Sequence, residues 1–519
     1  MEASVNRSPE NHGSSGLVAI IGPSAPHLTI YAVFLLLALY GYEIFNFSLS
    51  IDEELVGSPY ISGPWLGWIA QGRWGMGALT YIFPPLGNIP LMSTVLFCAG
   101  LGVSSCLVGR VLFRSYSGQW AFVGLFLSSP LWPHIAEFNT ISWGIGIGCV
   151  LLTLSLLFTI AELRFGYLWA VGFLAIATGI YQSFYIWFLV LLCIRYLAMV
   201  LGTAPASSNE TNQRFPWLKS SFVALGGLLG YLAVEKLFLA TLKLQLTYVE
   251  GYVRLADFTT VPAEAFARIL KRCWNLISGT DALYLGYGHL LTLLPMLGLL
   301  IVVVRLFGQR PLTRSQRIVA GAALAAAFVL GISPILMSAG TIPARALIPW
   351  IPISGFLAGV TLSGGSQFKK LLYAVLAVTL FISVWISVSL FYTDHLVRQR
   401  DELLAARIIA RVDQLLPNPP PDRIPFVVVG APPAKSAGAF QKLEVFGDSY
   451  FDTMHEGGNA YRIAAYLRLL GVDTLEPHQL KDILPQRSIV QAMPVWPAPG
   501  SVAMVGDMLV IKLGTIPPA

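Results

Sequence analysis

Charge is what this chain has least of. Only 12% of its 519 residues are Asp, Glu, Lys or Arg, where a soluble domain carries about 25%. Hydrophobic residues make up 55% and the mean hydropathy is +0.68, so the composition is that of a polytopic membrane protein. Cysteine is scarce as well. Four of the five lie inside apolar runs, leaving Cys273 in a loop, which excludes an extracellular disulfide framework. No zinc-type Cys/His spacing occurs. The segment before the first apolar run, Met1 to His27, lacks a basic stretch followed by a cleavage site, so an uncleaved first helix is expected. No internal repeat is visible, which counts against transporters built from paired repeats. The net charge of +6 does not point to nucleic acid, because the basic residues sit in short loops between apolar runs.

What is there is a succession of runs of about 17–25 apolar residues, each long enough to span a bilayer. Eleven can be drawn, at 29–49, 89–112, 119–135, 140–161, 165–181, 184–202, 218–242, 287–306, 318–338, 346–363 and 370–392. The third and fifth are short and interrupted by Pro or Gly. With a cytoplasmic N-terminal tail (1–28), the even-numbered loops fall inside. They carry Arg110 and Arg114, Arg164, Arg214 and Lys219, then Arg305, Arg310, Arg314 and Arg317, and finally Lys369 and Lys370. The odd loops of the first half hold almost no basic residue except Arg73. This is the positive-inside bias. It predicts a transmembrane domain over 29–393, outer loops at 50–88 and 244–286, and an extracytoplasmic domain over 394–519.

Polar residues of the membrane part then gather at one face. The first outer loop holds Asp52, Glu53, Glu54, Trp65, Trp68, Arg73 and Trp74. The segment 133–139 adds His134 and Glu137. Tyr181 and Gln182 end the fifth run, and Arg345, beside Pro343, opens the tenth. The long loop adds Tyr248, Glu250, Tyr252, Arg254, Asp257, Arg268, Lys271, Arg272 and Asp281. A carboxylate at a membrane boundary has to be hydrated, paired or used in chemistry, since a charge in hydrocarbon costs about 2.5–3.5 kcal/mol or more. Each feature also has a plain alternative. Acidic residues mark helix exits, Trp anchors at the headgroup level, and Arg snorkels at helix ends.

After the last run, 394–414 reads as an amphipathic helix ended by the Pro-rich turn 417–421. Strands are expected at 426–430 and within 502–512, and a helix over 459–470. Together they make a small C-terminal α/β domain. Gly447-Asp448-Ser449 matches the nucleophile block of one hydrolase class, but too little chain follows it and no Asp-x-x-His completes a triad. That activity is excluded.

A carboxylate, a nearby Arg and aromatic faces at the outer membrane surface suit glycosyl transfer from a lipid-phosphate sugar. A carboxylate can take the proton of the acceptor hydroxyl. An Arg can meet the departing phosphate with paired, charge-assisted hydrogen bonds, and Trp or Tyr faces can stack on sugar rings. Asp52-Glu53 after the first helix, Gly67-Trp68 and Gly72-Arg73 resemble the type II O-antigen glucosyltransferase family of bacterial membrane enzymes. Pro133 to Glu137, Tyr181-Gln182, Pro343-Ala-Arg345 and the tail from Trp385 through Arg398 to Phe426–Gly430 fit the same pattern. The resemblance runs from about residue 30 to about 470. That family usually has Asp-Asp where this chain has Asp52-Glu53, and an Arg soon after the pair is missing here.

The resemblance implies a GT-C-like fold in the bacterial inner membrane, with its catalytic acid in the first outer loop. The donor would be a polyprenyl-phosphate-linked hexose, typically glucose, and the acceptor a surface glycan such as O-antigen. Asp52 and Glu53 are the candidate catalytic residues. Arg73, Trp68, Glu137, Gln182 and Arg345 are the candidates for substrate binding. A divalent cation could sit on the adjacent carboxylates, which are too few to specify one. Other classes stay open: a lipid-linked-sugar flippase or other transporter, another GT-C enzyme (O-antigen polymerase or ligase, or protein O-mannosyltransferase), and a structural envelope module.

Overall fold

The computed structural model describes residues 26–55, 63–83, 91–161, 163, 165–205, 215–247, 253–254, 256–309, 312–364, 367–417, 423–432, 443–452 and 460–515. Most of the N-terminal tail lies outside the described residues. So do Arg164, Arg214, Tyr248, Glu250, Tyr252, Arg310, the greater part of the Pro-rich turn (418–421) and Asn459.

The apolar runs fold as helices, as they must where no water is available to satisfy backbone groups. In chain order they are α1 (Pro26–Phe45), the short pair α2 (Pro64–Ala70) and α3 (Trp74–Ile82), α4 (Met92–Leu112), α5 (Tyr116–Leu127), α6 (Pro133–Ala136), α7 (Asn139–Ile160), α8 (Gly166–Ile180), α9 (Ser183–Val200) and α10 (Trp217–Leu242). There follow α11 (Asp257–Thr260), α12 (Pro262–Ser278), α13 (Gly288–Val304), α14 (Arg314–Met337), α15 (Ile351–Ser363) and α16 (Lys369–Leu415).

Among the described residues nine helices are long and apolar enough to cross a membrane: α1, α4, α7, α9, α10, α13, α14, α15 with the 3-10 turn before it, and α16. The expected count of eleven included two that fall short of that length. The third run breaks after Leu127 and resumes only as the one-turn α6. The fifth is α8, whose 15 residues extend about 22 Å at 1.5 Å per residue, against a hydrocarbon core of about 30 Å. Small residues set the closest packing. A Cβ on Gly100 of α4 would lie 2.1 Å from the Gly146 carbonyl oxygen of α7, so those two backbones are in contact, as small residues allow between membrane helices.

The amphipathic helix expected over 394–414 is the continuation of the last span. α16 runs unbroken for 47 residues, about 70 Å. Its second half carries Ala405, Ile408 and Val412 into a separate hydrophobic core. That core belongs to a C-terminal unit of β1 (Ile424–Val429), α17 (Ala460–Leu469), β2 (Leu475–Pro477), α18 (Arg487–Ala492), β3 (Val502–Val505) and β4 (Met508–Lys512). The sheet order is β2-β1-β4-β3. β1 is parallel to both neighbours, with Phe426 opposite Leu509, and β3 and β4 form an antiparallel hairpin. β1 is buried along almost its whole length, which explains its continuous Val run.

Two insertions join this unit to the membrane part. Ile51, just after α1, is buried in the core of the C-terminal unit. In return, Phe446 is buried in the core of the membrane part, edge-on to His134 and Phe391.

Candidate active site

The burial of Ile51 determines how the following residues are displayed. Asp52 takes φ +81, a left-handed conformation that Asp tolerates better than most residues, and its side chain is 59% exposed. Its Oδ1 accepts a hydrogen bond at 2.9 Å from Nη2 of Arg462 on α17. The other terminal nitrogen of Arg462 donates to Glu54, whose side chain is fully buried. Glu54 therefore does not mark a helix exit. It is half of a buried ion pair whose partner lies some four hundred residues on. Burial still pushes the Glu54 carboxyl up to about 7, with the Arg462 charge opposing the rise.

Glu53 points the opposite way from Asp52 and is 1% exposed. Its Oε2 accepts the Ser50 N–H at 3.0 Å and its Oε1 accepts the Asn139 N–H. Asn139 is the first residue of α7, so Glu53 satisfies one of the orphan donors at that helix N-terminus. Burial raises its carboxyl to about 8, against the lowering effect of those hydrogen bonds. Glu137 is also buried. It accepts the Ser50 hydroxyl at 3.2 Å, and desolvation, reinforced by the nearby Asp394 and Glu53 charges, raises its carboxyl well above the usual range. Asp52, Glu53 and Glu137 thus come together, but only Asp52 opens to solvent.

The cluster is braced by residues that sequence reasoning left out of the site. Ser48 donates to Asp394 at 3.3 Å, and Arg398 bonds Asp401 at 3.0 Å and Asp394 at 3.5 Å. The Arg398 guanidinium lies 4.1 Å from the ring centre of Tyr450, whose hydroxyl donates to the Leu49 and Ser50 carbonyls at 2.9 and 3.0 Å. The Gly447-Asp448-Ser449 motif is part of this brace. The Asp448 carbonyl accepts from Arg398 and the Ser449 hydroxyl donates to Asp401, which gives the motif a structural role.

The predicted binding residues form a second group. The Arg73 guanidinium lies 4.9 Å from the Tyr181 ring centre and 5.6 Å from that of Trp68. Gln182 donates to the Gln71 carbonyl at 2.8 Å, and the Tyr231 hydroxyl lies 3.0 Å from the Gly72 carbonyl and 2.5 Å from a Glu235 carboxylate oxygen. Gly72 has φ +73, and a Cβ there would lie 2.7 Å from Glu235, so the turn carrying Arg73 needs glycine. Trp74 is not a surface aromatic. It is buried and donates to the Tyr231 carbonyl at 3.3 Å. Trp65 and Trp68 are half-buried.

Arg345 links the two groups. It occupies the 3-10 turn Ala344–Trp350 before α15. Its carbonyl accepts from the Tyr181 hydroxyl at 3.3 Å, and its guanidinium lies 5.1 Å from the ring centre of Phe138, the residue between Glu137 and Asn139. Beside it, Glu444 of the C-terminal unit accepts the Ala344 N–H. His134 lies 3.7 Å from Glu444, yet burial and the Arg345 and Arg272 charges lower its pKa to about 3. The imidazole is neutral, so this contact is not an ion pair.

Among the described residues no group of three or more His, Cys, Asp or Glu is arranged to hold a metal ion. At Asp52 and Glu54 the positive partner is the Arg462 guanidinium. An apolar groove between α1 and α4, walled by Val33, Leu37, Val95 and Val103, runs from Arg110 to Ile44.

Of the residues missed, Glu235 carried a signal: a lone carboxylate within a span has to be accommodated by something. Arg462 carried almost none, being one polar position in an ordinary amphipathic helix. In comparisons with known proteins, the model of a family described as Glucosyl transferase GtrII matches residues 41–363. No curated protein and no solved structure matches the chain.

Proposed function

The chain belongs to the Glucosyl transferase GtrII family, and from that premise we propose that it moves a hexose, in the first instance glucose, from a polyprenyl-phosphate donor to a surface glycan such as O-antigen. The reaction takes place on the outer face of a bacterial inner membrane, with the C-terminal unit on the periplasmic side. The observation that carries this reading is the division among the carboxylates. Glu53, Glu54 and Glu137 are buried and engaged, whereas Asp52 is exposed beside them with one oxygen held by Arg462.

In the proposed step, Asp52 accepts the proton of an acceptor hydroxyl as that oxygen bonds to the anomeric carbon of the sugar. The bond from that carbon to the phosphate oxygen breaks, and the lipid phosphate leaves with the electron pair. Arg345, or Arg73 as second candidate, neutralises the charge gained by the phosphate. Trp68 and Tyr181 offer faces for the sugar, Gln182 and Glu137 hold the surrounding turns, and the groove between α1 and α4 has the apolar character a polyprenyl chain requires. The GT-C-like architecture is part of the same proposal.

The test is mass analysis of the surface glycan from cells with and without this protein, together with transfer by purified protein from a polyprenyl-phosphate hexose. A hexose increment that depends on the protein and on Asp52 supports the reading. Donor translocation without transfer would favour a flippase, and an unchanged glycan would overturn the acceptor assignment.

A further inference from the structure

The segment between α10 and α13 was expected as an outer loop, and it contains a helix with three distinct faces. Ala265, Ile269 and Leu276 of α12 are buried against the protein. Glu264, Arg268 and Lys271 share a polar face. Phe266, Leu270 and Trp274, spaced four residues apart and therefore stacked along one side, are 61%, 54% and 69% exposed. Phe258 of α11 and Val261, just before α12, are also exposed, at 40% and 37%. A helix with one face in the protein and another in water would have no reason to keep three large apolar side chains in an exposed row.

Its position supplies the occupant. α10 and α13, on either side in the chain, are both long and apolar enough to span. Arg268 Nε donates to the Ala339 carbonyl at 3.1 Å, just beyond the end of α14 and on the side that leads to Arg345. α12 thus lies across the ends of spanning helices, where a bilayer meets water.

We infer that α12 is an interfacial helix, lying in the plane of the headgroup layer on the face of the membrane that carries the candidate site. Phe266, Leu270 and Trp274 enter the boundary between headgroups and acyl chains, about 5–10 Å deep, while Glu264 and Lys271 face water. The protein side is held by the ion pair of Arg272 with Asp281 at 3.1 Å, and Arg268 on the polar face pairs with Asp257 of α11 at 2.6 Å. The partner is a lipid surface, and the inference does not depend on the reaction proposed above.

The experiment uses full-length protein with its native cysteines replaced, in phosphatidylcholine–phosphatidylglycerol nanodiscs. Single cysteines at Phe266, Leu270, Trp274, Glu264 and Lys271 carry a small fluorophore. Lipid-borne nitroxide should quench the labels at the three apolar positions several-fold more than those at the two charged ones, and aqueous iodide should show the reverse. Equal quenching of the two sets by lipid would overturn the inference. Unsubstituted protein provides a second measurement, by photocrosslinking to lipids with a diazirine in the upper acyl chain. Adducts should map to Phe266, Leu270 and Trp274, and adducts confined to the spanning helices would equally overturn it.

Discussion

Asp52→Asn and Glu53→Gln, one position apart, should fail in opposite ways. The Asp52 side chain is 59% exposed and shares one ion pair. Losing a pair of that kind costs about 0–1 kcal/mol, so Asp52→Asn should fold as the parent does. Removing a general base slows reactions by about 10²–10⁴-fold, or about 3–5 kcal/mol of barrier. Glu53, in contrast, uses both oxygens to accept backbone N–H groups while 1% exposed. In Glu53→Gln an amide nitrogen has to face one of those donors. A buried bond is lost and a donor stranded, at a cost of about 1–3 kcal/mol. With its carboxyl raised to about 8 by burial, Glu53 is mostly protonated at neutral pH, so the substitution removes little charge. The assay is single-turnover transfer from a labelled polyprenyl-phosphate hexose in nanodiscs, normalised to folded protein, beside thermal unfolding of each variant. Asp52→Asn should be stable and nearly inactive, and Glu53→Gln less stable but active per folded molecule. A stable, inactive Glu53→Gln with an active Asp52→Asn would refute the assignment and the reasoning from burial behind it.

Arg462→Ala should destabilise the junction between the C-terminal unit and the membrane part by about 1–3 kcal/mol, because the buried Glu54 carboxyl loses its hydrogen-bonding partner; limited proteolysis should then release the C-terminal unit, and resistance like the parent's would count against it. Arg345→Lys should raise the donor concentration needed for half-maximal rate more than the acceptor concentration, since Lys lacks the bidentate fork; if neither this variant nor Arg73→Lys shifts the donor titration, neither Arg touches the phosphate. Junction stability should also fall with rising pH. Glu54 and Glu53 have folded-state pKa values raised from 4.5 to about 7 and about 8, first by desolvation, so their contribution is complete below 4.5 and is lost as pH rises through 7 to 8; an unfolding midpoint higher at pH 9 than at pH 5 would contradict this.

Much of this protein was legible before folding, for a physical reason. A bilayer interior admits only segments that satisfy their own backbone and carry little charge, so hydropathy alone located the spanning helices. A continuous apolar run did the same for β1, and the spacing of polar and apolar residues did so for α17. Even the candidate site was partly visible, because carboxylates and arginines beside a membrane stand out against an apolar background. Length was less secure. Hydropathy sums residues without registering the break after Leu127, and it counted the 15-residue α8 with the full spans.

Tertiary structure alone decided what the charged residues do. Asp52, Glu53 and Glu54 are adjacent carboxylates in the sequence, and they diverge in the fold, where Ile51 is drawn into the core of the C-terminal unit. Asp52 turns to solvent, Glu53 to the start of α7, and Glu54 to Arg462. Arg462 and Tyr450 reach the acidic turn from some four hundred residues away, with no periodicity or spacing to announce it. The exposed row on α12 was hidden for a related reason. The sequence placed this stretch in an outer loop, and only packing showed that Ala265, Ile269 and Leu276 fill the protein-facing side of a helix. Burial and pairing are properties of neighbours in space, and a chain of this length brings together residues whose order along it carries almost no record of the meeting.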